Sequence, residues 1–578
     1  MKTIKNYIWM AAAIMMVAVL GACSSDDLAV KETPIQKGKT ITLTATLSPK
    51  DGTTMRALSD PNDGTIHSEW AVDEELLVSY QKTDDSYDYV KVKVSSIDGS
   101  GNAIVTLNLD DPKNGSDINF NYPYSSAAVE KDYYYDQLGT LADISQNYDL
   151  CHGDGVLNVD GGIATLAGNV TMTRNSFIWK FTFTDGSSDI TNQITSLVID
   201  DGGGCPYTVS PSGLSTIYVA MTSNGAPADI SITAATGTGI YTKTKTGVTL
   251  DNGKLYTSNA VALTAVAAVD LSSKTADYTA NSGDVLTGTL DPNYKLIIPM
   301  DAVVMLKNAH IDFGGYNGAA ITCQANATIV IADGTTNSVT VPSGNTPSMS
   351  GYPGIQPGAL GTRLTIKGGS LGTGTLNVVG GYIAAGIGCT NSGYNYTTYG
   401  DDSGEECGVI QIDGGVITVT GGEAGIGSVM GGGTDNCEGI IINGGNVTAT
   451  GTNAGIGSSA NCGFITINGG TVNATSSQDG PGIGAGPYAS CGDITINGGT
   501  VTAIGNGDAA GIGSGAGTST YTSLTIANGI TKVTATRGGN GTAEPVGHGK
   551  DDTTSPAPVF SGVTKDAVNS TADTWIYN

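Results

Sequence analysis

The sequence predicts an all-β protein, a two-part antiparallel β-sandwich followed by a parallel β-helix, and three observations predict it. With 84 glycines in 578 residues and only 14% charged residues, many short strands and turns are expected rather than helices. Apolar residues then alternate in short runs from Ile41 to Ile232, the period of half-buried strands. Finally, a six-residue phrase keeps returning near the C-terminus. It reads Leu364-Thr365-Ile366-Lys367-Gly368-Gly369, and recurs ending at Gly415, Gly445, Gly470 and Gly499, with a decayed copy at 524–529. A fixed period in this range marks stacked repeats.

The chain opens with Lys2 and Lys5 ahead of an apolar run from Tyr7 to Leu20. That pattern reads as a signal peptide over 1–22, too short for a membrane span. Its end, Leu20-Gly21-Ala22-Cys23, resembles a bacterial lipobox, which implies that the Cys23 thiol carries lipid. The linker 23–37 follows. Its Ser24-Ser25-Asp26-Asp27 looks like the signal that sends Bacteroidetes lipoproteins to the outer face of the outer membrane; a solvated linker is the plain alternative. The expected location is therefore the cell surface, held to the outer membrane by a lipid anchor.

Residues 38–265 form the first expected domain. Its strand signals include Ile41–Leu47, Leu76–Tyr80, Tyr89–Val94, Phe177–Phe183, Thr195–Ile199 and Ile217–Met221. Turn residues punctuate them, the spacing of a sandwich. Four stretches carry a resemblance. Trp70-Ala71-Val72-Asp73-Glu74-Glu75-Leu76-Leu77-Val78, Tyr122-Pro123-Tyr124, Asp136-Gln137-Leu138-Gly139-Thr140-Leu141 and Asn252-Gly253-Lys254-Leu255-Tyr256 occur in the order seen in fimbrillin-like proteins of Bacteroidetes. The resemblance implies two sandwich halves built for surface display, with other pilin subunits as partners. In polymerising members a cut after an arginine frees a first strand, and a partner's strand fills the groove. Arg56 stands where such a cut would fall; an ordinary loop arginine is the alternative.

Residues 270–578 form the second expected domain. Ile-x-Ile points two apolar side chains to one face, and the glycine pair allows a sharp corner. A second short strand follows, as in Asn446–Thr450. Ala-Gly-Ile-Gly supplies a third at 385–388, 424–427, 454–457 and 510–513, with Pro481-Gly482-Ile483-Gly484 as a variant. Three strands and three corners make one rung, about 4.8 Å from the next. Looser strands between Tyr278 and Val341 read as earlier rungs, and Trp575-Ile576-Tyr577 as part of an end-cap. These repeats resemble right-handed β-helix modules on gut-bacterial surface proteins, some of carbohydrate-binding type.

Two columns follow from the register. Asp413, Asn443, Asn468 and Asn497 share one position and can bond along the axis. Cys407, Cys437, Cys462 and Cys491 share another, at spacings of 30, 25 and 29 residues. Three readings of that column stand open: a buried apolar stripe, disulfides between rungs, or metal. Cys323 and Cys389 add one more candidate pair, and Cys151 and Cys205 could be linked or unlinked.

Charge excludes some partners. A net charge of −27 offers no basic stripe for nucleic acid. Between Gly368 and Thr531 there is no Lys or Arg but eleven Asp or Glu, so polyanions would be repelled unless a divalent cation intervened. The insertion between the first two clean rungs holds Asp401, Asp402, Glu405 and Glu406 beside Tyr394, Tyr396 and Tyr399. Dense carboxylates suit calcium and tyrosine faces suit sugars, so calcium is the one cofactor expected; a solvated acidic loop is the alternative.

No enzyme is expected. A polysaccharide lyase wants a cationic base, which the clean repeats lack. A glycosidase wants two facing carboxylates, yet Asp479, Asp493 and Asp508 fall at different rung positions. His67, His152, His310 and His548 belong to no motif. The first reading is a lipid-anchored adhesin whose β-helix binds glycan. The second is a minor pilus subunit with the β-helix as spacer or cap, and the third a β-helix enzyme acting on polysaccharide.

Overall fold

The computed structural model describes residues 40–48, 70–123, 137–160, 162–203, 206–314, 318–342, 351–389, 406–429, 436–539 and 543–578. The chain is all-β. Two sandwiches precede a three-walled parallel β-helix.

The first sandwich is a nine-stranded sheet folded over itself. Its strands bury alternate residues, as in Glu75–Gln81 and Ala103–Asp110. One long strand, Tyr87–Ile97, serves both layers. Its first part pairs antiparallel with Glu75–Gln81, and after a register shift at Val94 it pairs with Ala103–Asp110. Such irregularities let a strand bend from one layer to the other. Leu43, Leu47, Leu76, Val78, Tyr80 and Phe120 fill the core. Trp70 meets the Tyr122 ring edge-on, with centroids 5.4 Å apart.

The second sandwich pairs a three-stranded sheet with a five-stranded one. Phe177, Trp179, Phe181 and Phe183 line its centre, and the Trp179 indole donates to Ser258 Oγ at 2.9 Å. Gln137 acts as a buried piece of strand: its amide donates to the Ala220 carbonyl at 2.8 Å and accepts from the Ala220 N–H at 2.7 Å. Parallel pairings depart from the antiparallel expectation in both sandwiches: in the first, Leu47 and Ser48 run parallel to Val170–Thr171. In the second, Phe177–Thr184 runs parallel to Leu255–Ala262. Alternation in sequence is the same for both directions, so the pattern does not reveal it. Where the chain passes between sandwiches, Arg174 and Asp149 form a buried ion pair, with Nη2 to Oδ2 at 3.1 Å.

From residue 268 onward the strands stack in register. Each rung contributes one strand to each of three walls, and the third wall alone has ten strands. In the rung from 440 to 456, Ile440 and Ile442 point inward from the first wall, Val447 and Ala449 from the second and Ile456 from the third. All stack on their counterparts above and below. Burying four such branched side chains per rung supplies on the order of 6 kcal/mol or more of gross hydrophobic stabilisation before chain entropy is counted. Glycine is required at the third wall. Gly457 has φ 136°, and a Cβ there would collide with the Gly484 carbonyl of the next rung.

The looser strands are rungs too: Ala302–Leu306 and Ala327–Ile331 stack in register beneath Arg363–Gly368, the first strand of the clean repeats. Their outward side chains explain the missing motif. Val285, Val303, Met305 and Val330 face away from the β-helix interior, yet are buried against Val198, Ala235 and Ile240 of the second sandwich. Lys307 Nζ also donates to the Thr238 carbonyl at 3.0 Å, and the Asp333 N–H to the Gly237 carbonyl at 2.7 Å. The sandwich therefore sits on the first wall. At the far end, Thr574–Tyr577 pairs antiparallel with Ile530–Thr536, and Tyr577 stacks on Phe560 with centroids 4.6 Å apart. This covers part of the open edge.

Candidate functional site

The first wall changes character where the sandwich ends. Beyond Val330 the outward column becomes polar: Lys367, Asp413, Asn443, Asn468 and Asn497 occupy successive rungs. Asn443 Nδ2 donates to Asp413 Oδ1 at 2.8 Å, Asn468 Nδ2 to Asn443 Oδ1 at 2.9 Å, and Asn497 Nδ2 to Asn468 Oδ1 at 2.9 Å. The direction is fixed by chemistry. An ionised carboxylate only accepts, so the first amide must donate to Asp413 and each later one follows suit. Gln411 Nε2 donates to the same Asp413 oxygen at 2.9 Å. Asn443 and Asn468 each use one N–H and one carbonyl lone pair in the ladder and have one more of each.

Lys367 heads the column. Its Nζ donates to Ser210 Oγ of the second sandwich at 2.6 Å and lies 3.9 Å from Asp413 Oδ2. Around this point the sandwich and the first wall enclose a cleft of about 1080 Å³. The sandwich side brings Leu138, Asn192, Thr195, Ser210 and Pro211; the wall brings Arg363, Lys367, Leu371, Gln411, Asp413, Asn443 and Asn468. Leu138 and Leu371 are 54% and 76% exposed, so the cleft has apolar lips above a polar floor.

The second wall is different. Thr418, Thr448, Asn473, Thr502 and Thr534 form one outward column, and Thr420, Thr450, Thr475, Ile504 and Thr536 the next. Between them Val447, Ala449 and their counterparts point inward. Neighbours along a column are about 4.8 Å apart, and the columns about 6.6 Å. From Val416 to Ile504 no outward side chain of this wall is charged. Thr536 bonds to Thr574 of the cap at 3.0 Å; among the described residues the other threonines of the two columns make no side-chain hydrogen bond. A chain of net charge −27 thus presents one neutral, hydroxylated face.

Cys407, Cys437, Cys462 and Cys491 stand in one register and are all buried. Cys407 is joined to Cys389 in a disulfide, with Cα atoms 5.3 Å apart, rather than Cys389 to Cys323. The bridge ties the two ends of the segment 390–406. Cys437, Cys462 and Cys491 are thiols. The hydrogen bond with Cys462 and burial hold the Cys437 thiol well above its ordinary range. Burial lifts Cys323 to about 12. These thiols behave as apolar filler. Among the described residues no group of three or more His, Cys, Asp or Glu is placed to hold a metal.

Other residues singled out by the sequence are scattered. Cys23, Arg56, Tyr394, Tyr396, Tyr399, Asp401, Asp402 and Glu405 lie outside the described residues; Glu406 adjoins the disulfide. Asp493 Oδ1 accepts from Ser523 at 2.6 Å, and Asp508 pairs with Lys550 at 3.1 Å, on different parts of the rung. His310 bonds Ser338 at 3.0 Å, and His548 meets the Ser555 carbonyl at 2.9 Å. What the sequence reading missed is the cleft, the place of Lys367 in the ladder and the threonine columns. The last were visible in Ile417-Thr418-Val419-Thr420, Val447-Thr448-Ala449-Thr450 and their repeats.

Comparison with known proteins agrees on the repeats. Residues 440–460, 465–487 and 494–516 match a family model described as a β-helix repeat. The C-terminal half carries β-helix repeats. No curated protein matches the chain. Among solved structures, a proposed cell adhesion protein from Bacteroides uniformis is 11% identical, covering 39% of this chain and 96% of its own, with a TM-score of 0.25. A fimbrial assembly protein from Parabacteroides distasonis is 8% identical, covering 39% and 91%, also at 0.25. A fimbrial protein from Bacteroides ovatus is 12% identical, covering 39% and 51%, at 0.20. The sandwiches described above stand on their own strand pairings.

Proposed function

We propose that this chain is a non-enzymatic surface adhesin, lipid-anchored at Cys23 to the outer membrane, whose β-helix binds glycan. The observation that carries this reading is the second wall. Rows of threonine hydroxyls both donate and accept, and their methyl groups suit the C–H faces of a sugar. The wall is long and flat, which suits an extended chain. It is also uncharged, so an uncharged polysaccharide meets no repulsion there. Asp413, Asp493 and Asp508 are each engaged in structural bonds on different parts of the rung, which supports a binding role over catalysis.

A glycan array probed with the full protein, with and without calcium, tests this reading. Binding to neutral polysaccharide is expected. Calcium dependence would bring in the loop containing Tyr394 to Glu406. A Thr448→Arg/Thr475→Arg double variant plants two bulky charges on the wall and should cut binding about tenfold or more. Binding equal to that of the unmodified protein would remove the wall from the proposal.

One observation favours the second reading, a minor pilus subunit with fimbrillin-like sandwiches. The strand Thr40–Ser48 precedes Arg56, pairs along its length with Ala103–Asp110 and buries Ile41, Leu43, Ala45 and Leu47. A cut after Arg56 would free it and leave an apolar groove for a partner's strand. Treatment with an arginine-specific protease, followed by mass and sedimentation analysis, should give a shortened chain that associates. A cut chain that stays monomeric would argue for the adhesin alone.

A further inference from the structure

We infer that Cys462 is the pivot of a second disulfide, one that joins neighbouring coils along the cysteine column. Its partner is Cys437 or Cys491, one at a time. Cys437 is the register partner of Cys462, and Cys462 of Cys491. Stacked strands stand about 4.8 Å apart, within the roughly 4.4–6.8 Å usual between the Cα atoms of a bridged pair. The Cys462 thiol is in hydrogen-bonding contact with both neighbours. All three side chains are buried in the apolar interior, where joining two thiols adds no charge.

Elimination points the same way. Cys407 finds its partner within its own rung, at Cys389. Cys389 follows Gly388 as Ser428 follows Gly427, and Ser458 and Ala485 continue that column. Among the described residues no sulfur therefore stands across the rung from Cys437, Cys462 or Cys491. Below Cys437 lies Cys407, already engaged, and above Cys491 lies Tyr521. Three thiols in a line give one bridge and one thiol left over. Only the middle residue belongs to both possible bridges.

The oxidant is a small disulfide such as oxidised glutathione. One protein thiol attacks it, forms a mixed disulfide and releases one glutathione thiol. The second protein thiol then displaces the other glutathione and closes the bridge. Two protein thiols lose two electrons, the glutathione disulfide gains them, and both protons end on the released thiols. Burial bars this attack once the coils have closed, so the bridge is made during folding. That an oxidant is met at that stage rests on the export proposed above; the bond itself depends only on the column.

Refolding the reduced full chain in a glutathione redox buffer tests the pivot. No Lys or Arg lies between Gly368 and Thr531, so the chain is cleaved before aspartate and after glutamate. That cleavage places Cys407, Cys437, Cys462 and Cys491 in separate peptides. Mass spectrometry should find the Cys462 peptide linked to that of Cys437 or Cys491, beside the link between Cys389 and Cys407. Cys437→Ala should keep the link to Cys491, and Cys491→Ala the link to Cys437. Cys462→Ala should lose both and keep the link between Cys389 and Cys407. Chain recovered from an oxidising periplasm, mapped in the same way, should match the refolded parent. Free thiols at all three positions in the parent would overturn the inference. So would a Cys437 peptide linked mainly to Cys407, or a direct link between Cys437 and Cys491. A chain that carries the bridge yet binds no glycan would sink the adhesin and spare the pivot.

Discussion

A Gly457→Ala variant is expected to lose about 3 kcal/mol or more of stability, a large effect for a single methyl group. Two costs add. The backbone at Gly457 has φ 136°, a conformation nearly closed to side-chain-bearing residues. The new Cβ would also run into the Gly484 backbone of the next rung, which a rigid stack cannot yield without shifting every rung above. Urea unfolding measures the loss. Hydrogen exchange should place it at Ala454–Ser458 and its neighbours Ala424–Ser428 and Ile483–Ala485, because each rung touches chiefly the next. Gly168→Ala is the control: nothing lies within 4 Å of its Cβ, and a change within about 0.5 kcal/mol is expected there. If both variants melt alike, close rung contact is not what glycine provides.

Arg174→Ala should cost about 3–5 kcal/mol, because it leaves Asp149 buried without its cation. The pair lies at the passage between the sandwiches, where Asn175 also donates to the Leu150 carbonyl at 2.8 Å. A sharper test is the double variant Arg174→Met/Asp149→Leu. Replacing both charges with apolar groups of similar size should restore most of the lost stability. A single variant within about 1 kcal/mol of the parent would mean that water reaches Asp149 and the pair is effectively a surface bridge.

The clean rungs were legible because their period is a direct consequence of stacking. Ile440 and Ile442 must lie over Ile465 and Ile467, so the phrase repeats whenever the coil closes. The early rungs were less so. Val303, Met305 and Val330 point outward yet are covered, and a strand buried on both faces loses its alternation. The same docking made the cleft invisible. Lys367 and Ser210 are 157 residues apart, and no local pattern announces that they meet. The parallel pair Phe177–Thr184 and Leu255–Ala262 was hidden for another reason: direction leaves no trace in a period of two. The threonine columns were in plain view at Thr418, Thr448 and Thr502, but hydroxyls on the outside of a strand look like ordinary solvation until register aligns them.

The ladder has a beginning, Lys367 and Asp413, and a last amide, Asn497, but nothing in between that depends on how many members it has. A gene duplication copying one coil, such as residues 444–468, would insert an extra asparagine, an extra threonine pair and an extra third-wall glycine together, leaving the sandwich seat and the terminal cap untouched. The length of the wall is therefore an adjustable trait for this architecture, changed by recombination in whole steps instead of being rebuilt residue by residue.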